Sequence, residues 1–181
     1  MTITEEKSLR VAVSEKARLM GFHVSNIESH SSSAGIPDIN LAIGHVDIWL
    51  ELKAFGVRWP MKIRSTQRKW HRERYEANGL SWFALLDLDH QEIFLVPGSG
   101  IQYVGSGLTR QWQGGAVKFK PEHIDLMIAY LYNEAVKRRI AYVTEQQRNS
   151  AGPSIDARSA GNSLPEGGQI VGGHHWLTDK P

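Results

Sequence analysis

The chain contains no cysteine, which excludes disulfide bonds and zinc sites built on thiolates. It also has no apolar run of the length of a transmembrane helix, so we expect no membrane partner. The N-terminus carries Glu5 and Glu6 and lacks the apolar segment of a secretory signal, and we therefore expect a cytoplasmic protein. The net charge is only +2, so the overall charge does not by itself identify a nucleic-acid partner.

What the chain does contain is typical of a globular domain. Hydrophobic residues make up 41% and charged residues 22% of its 181 residues. From about residue 148 onward serine, glycine, proline and asparagine dominate, which is typical of a flexible tail. We therefore predict one domain over residues 1–147 and a tail over residues 148–181.

The segment from residue 39 to residue 52 has the alternation of a β-hairpin. The two-residue break Gly44-His45 suits a type II′ turn, in which glycine takes the first central position. Ile43 should then pair with Val46. On this register one face of the hairpin is apolar and belongs in a core; it carries Ile39, Leu41, Ile43, Val46, Ile48, Leu50 and Leu52.

The same register sets two acids opposite each other at the open end of the hairpin. Asp38 faces Glu51, and Lys53 follows on the same face. Facing residues have Cβ atoms roughly 4.5–5.5 Å apart, so the two carboxylates repel unless a cation lies between them or one is protonated. Mg²⁺ suits such a pair, and a neighbouring ammonium can stabilise charge or help to deprotonate water. The pattern indicates phosphodiester hydrolysis; the alternative is a set of ordinary solvated surface charges.

These residues resemble a known motif. Gly35-Ile36-Pro37-Asp38, then Glu51-Leu52-Lys53, then a helix carrying Gln67 resemble the PD-(D/E)XK nuclease superfamily, and are most similar to its VRR-NUC and Holliday-junction-resolvase-like branches. The likeness covers about residues 6–96. It implies an α/β fold with a restriction-endonuclease-like α-β-β-β-α-β core, in which helices flank a mixed central sheet. Residues 97–147 would add an extension and a long C-terminal helix.

The resemblance also implies an activity and a set of site residues. It implies a DNA endonuclease that depends on Mg²⁺ or Mn²⁺, leaves a 5′-phosphate and a 3′-hydroxyl, and binds the metal through Asp38, Glu51 and the backbone carbonyl of Leu52. Lys53 would activate water or stabilise charge. Gln67 would orient water or a phosphate, although it could also be an exposed residue at the start of a helix.

Members of this superfamily often carry a further metal-site glutamate on the first helix. Glu6 continues the apolar stripe of that helix and is the best placed of the candidates. Glu5 and Glu15 are the others on the helix, and Glu28 after the first strand is a further one. The alternative is that all of the helix acids are surface residues or interact with the helix dipole.

Apolar spacing and turn residues predict the remaining elements. Ser65 or Thr66 should cap the helix that carries Gln67, with Asn78-Gly79 ending it, and Trp70 should pack in the core. Residues 97–107 should form turns with no chemistry. The predicted elements are a helix over 4–20, a strand over 22–27, the helix from 65 to about 77, strands over 81–88 and 92–96, and a long helix from Pro121 to about Gln147.

Basic residues concentrate in one segment. The segment from Glu51 to Asn78 contains eight basic and three acidic residues, which gives it a net charge of +5. Phosphate-backbone binding needs such cation density rather than a base-reading motif. We expect four of these residues to contact phosphates, unless they form an ordinary solvated face: Arg64, Arg68, Lys69 and Arg72.

The sequence alone does not identify the substrate. DNA is the expected partner, RNA is not excluded, and a structure-selective enzyme acting on branched or junction DNA in phage or mobile-element recombination or repair is the function that the resemblance favours. The alternative is a nucleic-acid-binding module that keeps the fold without turnover. The long C-terminal helix exceeds what a small sheet covers, so it either meets a second subunit in a homodimer or packs across the core.

Overall fold

A computed structural model describes residues 2–27, 35–57, 61–103 and 116–150. In these ranges the protein is a mixed α/β structure with a six-stranded mixed sheet and three α-helices. Glu28, residues 104–107 of the predicted turn segment and the tail beyond residue 150 lie outside the described residues. None of the described helices is both long and apolar enough to span a membrane.

The first six helices and strands follow the order α-β-β-β-α-β, and two further strands and a long helix come after them. The helices are α1 (Glu6–Leu19), α2 (Ser65–Glu76) and α3 (Ile124–Ser150). The strands are β1 (His23–Asn26), β2 (Ile39–Ile43), β3 (Val46–Phe55), β4 (Ser81–Asp87), β5 (Glu92–Pro97) and β6 (Val117–Phe119). In the described ranges, 3-10 helices cover Gly98–Tyr103 and Pro121–His123.

The six strands lie side by side in chain order. β3 and β4 are parallel, and the other neighbouring pairs are antiparallel. A parallel pair needs a crossover connection, and α2 is that connection. The crossover places α2 on one face of the sheet, directly over β3 and β4.

The predicted hairpin register is confirmed. Ile43 pairs with Val46, Leu41 with Ile48 and Ile39 with Leu50. Gly44 has φ +57° and His45 is not among the described residues with positive φ, which is the type II′ pattern. The pairing therefore holds Asp38, just before β2, beside the second half of β3.

The main core lies between one face of the sheet and helices α1 and α3. Both helices bury an apolar stripe there: Leu9, Val13 and Ala17 of α1, and Ile124, Met127, Ile128, Leu131 and Ala135 of α3. The hairpin contributes Ile39, Leu41, Ile48, Leu50 and Leu52. The apolar face of the hairpin is thus fully used in packing, and the site can form on the opposite face.

On the opposite face, α2 and a second apolar cluster cover the sheet. The rings of Trp49 on β3 and Trp70 on α2 lie 5.4 Å apart, and His71 stacks on Phe83 at 4.0 Å. Trp70 is half-buried rather than part of the deep core, because it covers Trp49 at the edge of this contact. These rings fix α2 over the polar face of β3.

Several predicted boundaries were wrong. Arg64, not Ser65 or Thr66, is the N-cap of α2, because the Gln67 side chain caps it by accepting a hydrogen bond from the Arg64 backbone N–H at 2.9 Å. Residues 98–103, predicted as turns, form a 3-10 helix, and α3 begins after a 3-10 turn and runs to Ser150. β6 was missed because three residues are too few to show alternation.

Candidate active site

Asp38 is tied to β3 by its own carboxylate. Its Oδ2 accepts a hydrogen bond from the backbone N–H of Leu52 at 2.8 Å, and its backbone carbonyl accepts one from Ile27 at 2.8 Å. Its Oδ1 lies 3.0 Å from Nη2 of Arg10 on α1. Strand β3 and helix α1 therefore both hold the Asp38 side chain, which lies next to Glu51 and Lys53.

Gly35, at the start of the Gly-x-Pro-Asp motif, brings this segment close to α2. A Cβ built at this position would lie 2.5 Å from the backbone oxygen of Thr66, and the residue has φ +102°. Both features require glycine. The motif glycine thus lets the chain that leads into Asp38 pass directly beneath the start of α2.

Glu51 is a buried acid, with 1% of its surface exposed. Its Oε1 lies 2.5 Å from Lys53 Nζ and accepts a hydrogen bond from Gln67 Nε2. Its Oε2 is buried and has no hydrogen-bond partner in the described part of the chain. Burial raises the pKa of Glu51 to about 7; Lys53 opposes this shift and the nearby Asp38 adds to it.

Gln67 holds Glu51 in place. It is 1% exposed, so the alternative of an exposed helix-start glutamine is wrong. Its Oε1 accepts from the Arg64 backbone and its Nε2 donates to Glu51, so one amide both caps α2 and orients the acid. Both ends of the amide thus bond to the protein itself. That Gln67 orients water or a phosphate stays a prediction.

Lys53 is the cation on which the site converges. Its Nζ contacts Oε1 of Glu51, donates to the backbone carbonyl of Leu52 at 2.9 Å, and lies 3.7 Å from Oε1 of Glu6. Burial raises the pKa of Glu6, and Lys53 counteracts that shift. Of the helix acids, Glu6 is the one at the site, whereas Glu5 and Glu15 are exposed.

Sequence reasoning missed Arg10. The spacing of Glu6 and Arg10 was the available signal, because residues four apart on a helix are neighbours. If Glu6 faces the acids, Arg10 must flank them. Among the described residues, Arg10 therefore joins Lys53 as a basic side chain at the site.

His71 was also missed, although it lies four residues after Gln67 and so shares its face. It is fully buried, and neither ring nitrogen has a hydrogen-bond partner among the described residues. Burial lowers the pKa of His71 to about 3, and the charge of Lys53 adds to this effect. His71 is therefore neutral in the folded protein and packs as an aromatic ring behind the site.

The four predicted phosphate-binding residues lie on or beside the outer surface of α2. Lys69 and Arg72 are 66% and 67% exposed and form i,i+4 ion pairs with Glu73 and Glu76 at 3.7 and 4.0 Å. Arg64 is exposed and Arg68 is half-buried. Exposed ion pairs of this kind contribute little, so phosphate groups can replace the glutamates as partners of these cations.

The oxygen donors at the site suit a hard divalent cation. In residues 2–27, 35–57, 61–103 and 116–150 no three or more His, Asp or Glu side chains are grouped to hold a metal ion. Mg²⁺ commonly needs only one or two carboxylates, with water and phosphate oxygens completing its shell. Asp38, Glu51 and the Leu52 carbonyl all contact basic groups of the protein, and Glu51 Oε2 has no hydrogen-bond partner among the described residues. Carboxylate and carbonyl oxygens are the kind of hard ligand that Mg²⁺ and Mn²⁺ take.

A groove of about 670 Å³ lies elsewhere, at the turn end of the hairpin. Its lining includes His45, Arg74, Arg138 and Tyr142 but not the acids of the site. This groove is therefore separate from the candidate active site.

No protein-family model matches this sequence, and no curated protein sequence matches it.

Proposed function

We propose that the protein is a DNA endonuclease that depends on Mg²⁺ or Mn²⁺. The observation that carries this proposal is the convergence of Asp38, Glu51, the Leu52 carbonyl and Lys53 at one point beside a basic helix. Two acids and a carbonyl can hold a metal ion that activates water, and an ammonium beside them can stabilise charge on a phosphate, which together suit phosphodiester hydrolysis.

The fold supports the same proposal. The order α1-β1-β2-β3-α2-β4, with an antiparallel hairpin followed by a parallel strand, is the order implied by the resemblance to the PD-(D/E)XK superfamily. The proposal therefore includes a restriction-endonuclease-like fold for this core. The acids come from the hairpin, and the supporting amide comes from the crossover helix.

Each residue has a distinct task. Asp38, Glu51 and the Leu52 carbonyl would hold the cation, which when bound polarises the phosphodiester and lowers the pKa of a water. Lys53 stabilises negative charge that develops on the phosphate oxygens. Gln67 keeps Glu51 pointed at the site, and Glu6 supplies a further carboxylate next to Lys53.

The basic surface of α2 supports DNA as the substrate. Arg64, Arg68, Lys69 and Arg72 lie on or beside the helix whose first turn carries Gln67. Phosphates bound there would bring the backbone next to the acids. A structure-selective enzyme acting on branched or junction DNA, in phage or mobile-element recombination or repair, is the finer form of the proposal.

The proposal is tested by a cleavage assay on linear duplex, single-stranded, flap and four-way-junction DNA and on RNA, in EDTA, Mg²⁺ or Mn²⁺. Wild type should cut at least one DNA only when metal is present, and Asp38→Asn should lose at least about 10²-fold in rate. Asp47→Asn is the matched control, because Asp47 is exposed at the opposite end of β3. It should cut as wild type does, and full activity of Asp38→Asn would refute the assignment.

One observation favours a second candidate, a nucleic-acid-binding module without turnover. Arg10 and Lys53 already neutralise the acids, so the fold does not need a metal. A module of this kind would shift DNA on a gel with the same affinity in EDTA and in Mg²⁺, and would cut none of the substrates.

We also propose that the outer half of α3 meets a second copy of the chain. Residues 139–150 are exposed, and they include the apolar side chains Ile140, Tyr142 and Val143. Exposed apolar side chains close together on one helix are candidates for a protein–protein contact. Light scattering of the purified protein should give the mass of a dimer, and a monomer mass at micromolar concentration would contradict this.

A further inference from the structure

Arg10 binds Asp38 through a single contact. Nη2 lies 3.0 Å from Oδ1, while the other carboxylate oxygen is taken by the Leu52 N–H. Nε of Arg10 is buried without a hydrogen-bond partner in the ranges that the structure describes. Arg–carboxylate pairs are frequently bidentate, with two parallel N–H···O bonds. This pair has one such contact, so fewer interactions must be broken to displace the guanidinium.

The two basic residues together cover the three oxygen groups that would hold a cation. Arg10 contacts Asp38, and Lys53 contacts both Glu51 and the Leu52 carbonyl. An added divalent ion at these oxygens would lie next to two positive charges of the protein. Glu51 Oε2 has no hydrogen-bond partner in the described residues, and for the other oxygens the ion competes with Arg10 and Lys53.

Both basic side chains have an alternative position. Lys53 has Glu6 at 3.7 Å as a second acceptor, so it can turn from Glu51 without losing a negative partner. The side chain of Arg10 is 30% exposed, so its guanidinium can swing into water. Of the two, Arg10 is the one with a route from the acids into solvent.

We propose that Arg10 is a displaceable counter-ion: it neutralises Asp38 in the metal-free protein and is released when a divalent cation binds. This inference rests on the proposed function, since it concerns the same metal site. Arg10 acts through Asp38 and is a positioning residue. It keeps the acid in place without metal, and it sets the concentration of metal at which the site fills.

The proposal predicts the sign of one effect. Removing a positive charge that competes for Asp38 should strengthen metal binding by about 5- to 10-fold, the size expected for one charge acting on a divalent ion across a partly solvated gap. If Arg10 instead only held Asp38 in a binding geometry, its removal would weaken metal binding. The two roles therefore give opposite results.

The test is calorimetric titration of Mn²⁺ into the metal-free full-length protein, without DNA. Arg10→Met should bind Mn²⁺ about 5- to 10-fold more tightly than wild type, and Arg10→Lys, which keeps the charge, should remain near wild type. Arg18→Met is the matched control, because Arg18 is an exposed arginine in the last turn of α1. It removes the same net charge and should leave the affinity unchanged.

The outcomes separate this inference from the proposed function. If wild type binds Mn²⁺, and Asp38→Asn loses that binding, but Arg10→Met binds equally or more weakly, the counter-ion role is wrong and the metal site stands. If wild type itself binds no Mn²⁺, the proposed function fails and the counter-ion role fails with it. An equal gain in Arg18→Met would show a general charge effect and would also overturn the inference.

Discussion

Replacement of Lys53 by methionine is expected to lower the single-turnover rate of DNA cleavage by about 10³-fold. Lys53 Nζ is the ammonium at which Glu51 and the Leu52 carbonyl converge, and its side chain is only 14% exposed. Methionine has a similar shape but carries no charge to stabilise the phosphate oxygens. DNA affinity, measured in EDTA, should change little, because the exposed cations of α2 remain.

The control for this variant is Lys62→Met, which removes the same charge from an exposed residue before α2. It should cut at the wild-type rate. Loss of a buried ion-pair partner can itself cost about 3–5 kcal/mol, so the fold of Lys53→Met is checked by circular dichroism at the assay temperature. Lys53→Arg keeps the pair with Glu51 and should stay folded while still losing about 10-fold or more in rate. A cleavage rate for folded Lys53→Met within about threefold of wild type would refute the role of Lys53.

The second large effect is on stability as a function of pH, measured in EDTA. Burial lowers the pKa of His71 from 6.5 to about 3. Below pH 6.5 the unfolded chain binds a proton at His71 that the folded protein does not bind, so the free energy of unfolding should fall as the pH falls. Between pH 6.5 and pH 3 this decrease in the free energy of unfolding amounts to about 5 kcal/mol, at about 1.4 kcal/mol for each pH unit.

Glu51 has the opposite effect. Burial raises its pKa from 4.5 to about 7, so the folded protein keeps a proton that the unfolded chain has released. The free energy of unfolding should therefore fall as the pH rises from 4.5 to 7, by about 3 kcal/mol. Between pH 4.5 and 6.5 the contributions of His71 and Glu51 oppose each other, and this pair should leave the stability of wild type nearly flat.

Two single variants should reveal the two slopes in urea unfolding. His71→Phe, which keeps a ring on Phe83, should lose stability as the pH rises through this window, whereas Glu51→Gln should gain it. The slope with pH is compared, so a constant packing cost of either substitution does not matter. His123→Phe replaces an exposed histidine and should keep the wild-type slope. Equal slopes for all four proteins would show that neither group is buried in solution as the structure places it.

The hairpin could be predicted because its signals are local. Alternating apolar residues define its faces, and a glycine that needs positive φ fixes its turn, so the position of Asp38 beside Glu51 and Lys53 followed from the register. The stripes of α1 and α3 could be predicted for the same reason. Each depends on spacing within one element.

The parts that could not be predicted depend on contacts between elements. Glu51 and Gln67 are buried because α2 packs on β3. The Trp49–Trp70 contact fixes this packing, and the spacing of residues within one element does not reveal it. Arg10 could not be found from the apolar stripe of α1, because it lies beside that stripe and reaches Asp38 only through the packing of α1 against the sheet. The N-cap of α2 was misplaced because its capping group is the side chain of Gln67, inside the helix, and not the hydroxyl of a preceding residue.

The most direct test of the central claim compares wild type with Glu51→Gln on the DNA that wild type prefers. Binding is measured in EDTA, and single-turnover cleavage is measured with and without Mg²⁺. The account predicts that both proteins bind DNA with affinities within about threefold, that wild type cuts only with metal, and that Glu51→Gln cuts at least about 10²-fold more slowly. Cleavage by Glu51→Gln at the wild-type rate, or binding by wild type without any metal-dependent cleavage, would contradict it.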